Sequence, residues 1–362
     1  MDTHTNKINI LLLCGGKSGE HEVSLLSTNS VYQALDKARY NITLVGIDKQ
    51  GIWRTGDPDT MFMNASDPKN ITLATESNDL KELTLKPGEP LPGSIDVVLP
   101  ILHGTYGEDG AMQGFLELLD VAYVGPGVLG SAVGMDKDVM KRLLMQAGIP
   151  VCKYINVREH KLSKHTIKEL EETLDYPMFV KPANLGSSVG VSKAKNVEEL
   201  HDAVQHAFQY DTKVVIEEFI PCRELEVAVL GTHIHHEASI VGEVKPSHEF
   251  YSYESKYIDE KGAETIIPAD IPEDVSNEVR RQALEAFKVL ECYGMSRVDF
   301  FYSDSGKVYL NEINTIPGFT SISMYPKLWE ASGLPYSQLL DRLIDLALQR
   351  QDTKAKLLRE FE

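Results

Sequence analysis

Apolar residues come in short runs along this 362-residue chain, and the spacing of those runs predicts its elements. Residues 8–13 form a short apolar run that predicts a buried strand, and a glycine-bearing turn follows at 15–19. Residues 23–35 carry helical periodicity, and 43–48 predict a second strand. A third buried strand is expected at 95–102, IDVVLPIL, followed by the loop HGTYGEDG at 103–110. Strand, helix and strand in alternation imply a parallel sheet, whose ligands collect at loops beyond the C-terminal strand ends. The loops at 15–19 and 104–110 fall at such places, whereas the polar stretch 55–93 reads as an irregular, variable insertion.

A second region starts near Gly125, with a helix at 136–146 that Gly148-Ile149-Pro150 ends. A strand at 178–181 leads into the loop 182–190, and a helix at 197–208 precedes a strand at 213–220. The third region opens with a strand at 225–230 and crosses an aromatic, charged loop at 245–262. It then reaches a hairpin at 296–314 and closes with an amphipathic helix at 336–348. The chain contains no internal repeat and no low-complexity segment.

Length favours two or three domains over one core. A hydrophobic fraction of 42% and a charged fraction of 25% are those of a soluble globular protein. Neither a membrane span nor a secretory signal is expected: no apolar run is long enough, and the one near the N-terminus is short and carries an asparagine. Cys14, Cys152, Cys222 and Cys292 are widely spaced without a CxxC pair, so reduced, mostly buried thiols of a cytosolic protein are expected. A net charge of −18 argues against nucleic acid as a partner. It leaves room for a nucleotide, whose phosphates Mg²⁺ and a few lysines neutralise locally.

The hairpin carries the densest chemistry. Alternation puts Arg297 and Asp299 on one face of its first strand, and Glu312 and Asn314 on one face of its second. Folding about Asp304-Ser305-Gly306 brings Asp299 to within about a residue of lying opposite Glu312. Two carboxylates and an amide oxygen suit Mg²⁺; a charged face turned to solvent is the plainer alternative. Lys181 at the base of the glycine and serine loop 182–190 would suit phosphate oxygens, although the loop is neither a Walker A sequence nor GxGxxG and reads equally as a surface hairpin. The pair Glu217-Glu218 ends an apolar strand whose backbone could meet an adenine edge, and Glu20-His21-Glu22 reads as a charged helix start. His233, His235 and His236 lack a further ligand nearby and fit a solvated strand.

Together GEHEVS, HGTYGEDG, MDK, FVKPANLGSSVG, IEEFI, EFYSYESKY, RVDF and LNEINTIPGFTS resemble the D-alanine–D-alanine ligases of the ATP-grasp superfamily, over about residues 8–348. The resemblance implies an α/β ATP-grasp fold of three α/β domains, at 1–124, 125–220 and 221–362, with ATP between the central and C-terminal sheets and a lid at 245–262. It implies that Lys137 and Lys181 contact ATP phosphates beside Ser187 and Ser188. Glu217 and the segment Glu218, Phe219 and Ile220 would hold adenine, and Glu224 the ribose. Asp299, Glu312 and Asn314 would bind two Mg²⁺ (or Mn²⁺), with Glu312 bridging. Arg297 would stabilise the oxyanion and acyl phosphate, and Lys256 would meet the γ-phosphate. Glu22 would receive the first D-alanine's ammonium, tied to Ser187 and Tyr257, with His103 near that substrate's carboxylate. Ser323 and Gly318 fall at the second substrate.

The implied reaction makes D-alanyl-D-alanine for peptidoglycan precursors through D-alanyl phosphate, in the cytoplasm, with a homodimer as a family expectation. Members that use D-lactate or D-serine are the alternative, and Tyr257 is the residue that accompanies dipeptide formation. A nucleotide-binding regulator without catalysis would need a broken metal site or lid, and both motifs are intact. Met324 stands where many members carry leucine, and the stretch 55–93 is long for the family.

Overall fold

Three sheets carry the chain in the computed structural model, which describes residues 7–358 apart from 66, 68, 75–79, 90, 92, 93, 162, 163 and 247–262. In the first sheet the strand Ile8–Gly15 lies parallel between Tyr40–Ile47 and Val97–Pro100, with Ala122–Tyr123 beyond. Residues 10–14 are at most 1% exposed, because a central parallel strand is covered on both faces. That is why it reads as an unbroken apolar run. The stretch 55–93 is less irregular than its composition suggests. Trp53–Thr55 and Lys81–Glu82 extend the first sheet antiparallel, and Phe62–Met63 pairs with Thr72–Leu73.

The second sheet is antiparallel, with Met178–Pro182 and Lys213–Glu218 at its centre. The helix Lys137–Gln146 leads into it. Asp136 caps that helix by accepting from the amides of Asp138 and Val139, which satisfies two orphan donors. The third sheet centres on Cys222–Gly231, paired with Gly294–Ser303, which pairs in turn with Val308–Asn314. Thr232 to His235 form a tight turn rather than a strand: the Thr232 hydroxyl accepts from the amides of Ile234 and His235. Only His236 enters a strand, and its ring stacks on Phe287.

The hairpin holds a β-bulge that alternation alone does not show. Phe300 pairs with Leu310, yet Asp299 pairs with Glu312, so Asn311 is the extra residue. Leu310 is fully buried, and strict alternation would put Glu312 on that same core face. The bulge turns Glu312 to the face of Asp299 instead. Asp299 and Glu312 are therefore direct partners, with Arg297 opposite Asn314.

The closing helix is longer than its pattern suggests, Tyr336–Ala355. Leu339, Leu340, Leu343 and Ile344 share one apolar core with Leu12 and Val97 of the first sheet and Leu230 of the third. Arg350 donates to the carbonyls of Gly125 (2.7 Å) and Tyr123 (2.6 Å), so the helix also clasps the exit from the first sheet. Among the described residues no helix is long and apolar enough to cross a membrane. All four cysteines are free thiols, and three of them are buried.

Candidate active site

A cavity of about 490 Å³ opens between the second and third sheets. Lys181, Glu217, Phe219 and Ile220 face it from one side, and Glu224, Lys245 and Phe301 from the other. Ser187 and Ser188 close one end, both with positive φ (51° and 59°), so the loop at 182–190 is wrapped tightly. Lys137 lies at the junction with a second chamber, its ammonium 2.7 Å from the Leu185 carbonyl. The amides of Glu218 and Phe219 are already spent on Lys153 and Pro177 carbonyls, and the Glu218 carboxylate accepts from the Lys153 amide.

Glu217 is buried between two lysines. Lys181 lies 2.7 Å from one carboxylate oxygen and Lys141 3.1 Å from the other. Burial would raise the Glu217 pKa, but the two ammonium groups outweigh it and bring the carboxyl down to about 2.

The second chamber is lined by Glu20, His103, Glu108, Ser187, Arg297 and Glu312, among others. Here the structure corrects the sequence reading. Ser187 donates its hydroxyl to Glu20, not to Glu22. Glu22 lies in the first turn of the helix His21–Ala34 and pairs with Lys49 at 2.5 Å, outside the chamber. Glu20 precedes the helix, so its carboxylate turns back toward the loops at 104–110 and 182–190. Gly186 makes room for it: a Cβ there would stand 2.9 Å from Glu20 Oε2.

His103 is buried and neutral. Its Nδ1–H donates to the Ile316 carbonyl at 3.1 Å, and its Nε2 accepts from the Ser27 hydroxyl at 3.2 Å. Burial lowers its pKa to about 4, in keeping with that tautomer. Both ring nitrogens are engaged, so His103 joins the chamber wall to the segment after the hairpin.

Glu108 was missed in the sequence because it sits inside HGTYGEDG as one acid among several. It accepts from the amides of Gly104 (2.6 Å) and Ile316 (3.3 Å). Burial, and then the Glu20 carboxylate, raise its pKa to about 8. Between pH 4.5 and about 8 the folded state keeps a proton that the unfolded chain has shed, so stability falls as pH rises across that window. Urea midpoints at pH 5 and pH 8 should show this drop in the wild type and a smaller one in Glu108→Gln. An equal drop in both would place the titration elsewhere.

A third chamber reaches Ser323, Met324 and Gly318 beside Arg297, Asp299 and Glu312. Arg297 forks onto Asp299 at 2.7 and 2.6 Å and also meets Glu226 at 3.0 Å. Glu226, unremarked in the sequence, pairs with Asp299 across the sheet and is buried. The Asn314 side-chain amide donates to Asp299 at 3.0 Å, which orients its carbonyl oxygen away from that contact. Two carboxylates and one amide oxygen on a single face are a hard donor set, and they fit a divalent cation of the magnesium kind. Glu312 lines all three chambers. Lys256 and Tyr257 lie outside the described residues, as does most of the expected lid at 245–262.

Two sheets that grip a cleft, with lysines and carboxylates on both of its walls, define an ATP-grasp enzyme. Comparison with known proteins narrows this further. The family models described as D-ala D-ala ligase N-terminus and C-terminus match residues 9–126 and 143–345. The D-alanine–D-alanine ligase A of Salmonella typhimurium is 46% identical over 353 residues, 95% of this chain and 96% of that protein. The solved D-alanine–D-alanine ligase from Coxiella burnetii superposes with a TM-score of 0.86 at 39% identity, covering 98% of this chain and 97% of its own. The VanG D-Ala:D-Ser ligase of Enterococcus faecalis gives 0.80 at 36% identity, over 94% of this chain and 99% of its own. The chain belongs to the D-alanine–D-alanine ligase family.

Proposed function

We propose that this enzyme uses ATP to join two D-alanine molecules into D-alanyl-D-alanine for peptidoglycan precursors, working in the cytoplasm. The observation that carries this reading is the meeting of three chambers at one carboxylate, Glu312, with Arg297 on two of them. A nucleotide, a first acid and a second amine need that arrangement.

The large cavity takes ATP. Glu217 and the strand end through Ile220 face the adenine, Glu224 the ribose, and Lys137, Lys181, Ser187 and Ser188 the phosphates. Point charges suit phosphates because they make no directional demand. Asp299, Glu312 and Asn314 would hold two magnesium (or manganese) ions, which supply charge neutralisation at the phosphate oxygens. In the second chamber Glu20, not Glu22 as the resemblance implies, receives the ammonium of the first D-alanine.

A carboxylate is a poor electrophile. An oxygen of the first D-alanine therefore takes the γ-phosphoryl group, ADP leaves, and D-alanyl phosphate forms. The amine of the second D-alanine, held near Ser323 and Gly318, then attacks the carbonyl carbon. Charge collects on the carbonyl oxygen beside Arg297, and phosphate departs as the amide closes. Positioning and charge stabilisation are most of what such a transfer asks of a protein.

The D-Ala:D-Ser ligase among the structural neighbours gives a second reading, with D-serine as the second substrate. Competition of D-alanine, D-serine and D-lactate in one reaction, with products separated by mass, decides between them. The proposal expects D-alanyl-D-alanine to dominate; a majority of D-alanyl-D-serine would move the chain to the second reading.

A further inference from the structure

Lys141 is fully buried and lines none of the chambers described above. It sits one helical turn after Lys137, on the same side of the helix Lys137–Gln146. Lys137 reaches the chamber junction, whereas Lys141 runs into the protein behind the nucleotide cavity. Its ammonium lies 3.1 Å from Glu217 Oε1, donates to Cys152 Sγ at 3.4 Å, and stands 5.8 Å from the centre of the Tyr154 ring.

A lysine is seldom fully buried without a task, because taking its charge out of water is costly. The task is visible in the charge arithmetic. Glu217 alone would neutralise Lys181, which is 2.7 Å away and faces the cavity. With Lys141 on the other carboxylate oxygen, two positive charges share one negative charge, and the cluster keeps a net charge of about +1. Lys141 and Lys181 bracket the carboxylate, each within ion-pair distance of a different oxygen.

We propose that Lys141 is a positioning residue for the nucleotide: it pins Glu217 and offsets its charge, leaving Lys181 an uncompensated cation for phosphate. This rests on the assignment of the large cavity to ATP. Lys141 itself touches no substrate, so its influence runs through Glu217 and Lys181.

The test is a double-mutant cycle read by calorimetric titration of ADP and of a non-hydrolysable ATP analogue, beside KM for ATP and kcat. Lys141→Met should weaken nucleotide binding by roughly tenfold or more and raise KM for ATP, with kcat changed by only about two- to threefold. In a Glu217→Gln background the negative charge is gone, and the same change should weaken binding by less than about threefold. An equal loss in both backgrounds would overturn the proposal, since a merely structural lysine costs the same in each. If Lys141→Met alone does not fold, Glu217→Gln and the double variant carry the test. The proposal requires their affinities to agree within about threefold, and a tenfold gap contradicts it. Lys181→Met separates the two levels of the argument. Unchanged nucleotide binding there sinks the assignment of the cavity, whereas weakened binding there with an unaffected Lys141→Met sinks the role of Lys141 alone.

Discussion

Glu312→Gln should lower kcat by at least about 10²-fold at saturating Mg²⁺ while the melting temperature stays nearly unchanged. The substitution keeps the shape of the side chain and the bulge that aims it, and it removes one negative charge from the point where the three chambers meet. Stability has little to lose, because a metal-binding carboxylate is placed for its ligand and not for packing. Rate has much to lose. In the proposed mechanism the carboxylate would hold the cations that offset the negative charge gathered in phosphoryl and acyl transfer. Titration of Mn²⁺ followed by electron paramagnetic resonance should show weaker binding in the variant, independently of turnover. Near-normal turnover with unchanged Mn²⁺ binding would contradict the metal assignment.

Glu20→Gln should lower kcat/KM for D-alanine by roughly 10- to 100-fold, whereas Glu22→Gln should change it by less than about threefold. The two acids stand two residues apart and differ in where the helix puts them. Glu20 accepts from Ser187 inside the second chamber, and Glu22 pairs with Lys49 outside it. An exposed lysine–carboxylate pair contributes little, so its loss should be nearly silent in folding and in turnover. A charge-assisted contact to a substrate ammonium is worth about 1.5–3 kcal/mol, which sets the larger effect. Steady-state kinetics of the two variants side by side is the check. A larger loss in Glu22→Gln would return the ammonium contact to Glu22.

The error over Glu22 has a physical source. GEHEVS contains two glutamates of the same chemistry, and a motif match does not say which one precedes the helix. A signal was present in the pattern. Glu22 shares an outward stripe with Asn29 and Gln33, while Val23, Ser24, Leu25, Thr28 and Val31 are buried. Four- and seven-residue spacing thus assigns Glu22 to the outer face.

The carboxylate-bearing hairpin was legible because strand alternation and a turn signal are local. Its bulge was not, since an extra residue in one strand shows only when the partner strand is in place. The strands of the first sheet were legible as apolar runs. Glu226 and Lys141 were invisible for a common reason: each acquires its role from a partner far off in sequence, Arg297 and Glu217, across a sheet or behind a cavity. The closing helix outran its prediction because its last turns are held by Arg350, which donates to the Tyr123 and Gly125 carbonyls where the chain leaves the first sheet, and by Lys354, which pairs with Glu117 of the helix Ala111–Leu118.

In the proposed mechanism the carboxylate of the first D-alanine is activated by phosphoryl transfer at the meeting point of the three chambers. This activation is tested most directly with D-alanine labelled with oxygen-18 in its carboxyl group, the released phosphate being weighed by mass spectrometry. Passage through D-alanyl phosphate moves one labelled oxygen into phosphate for each dipeptide formed. Phosphate that carries no label, at a normal rate of dipeptide synthesis, would contradict it.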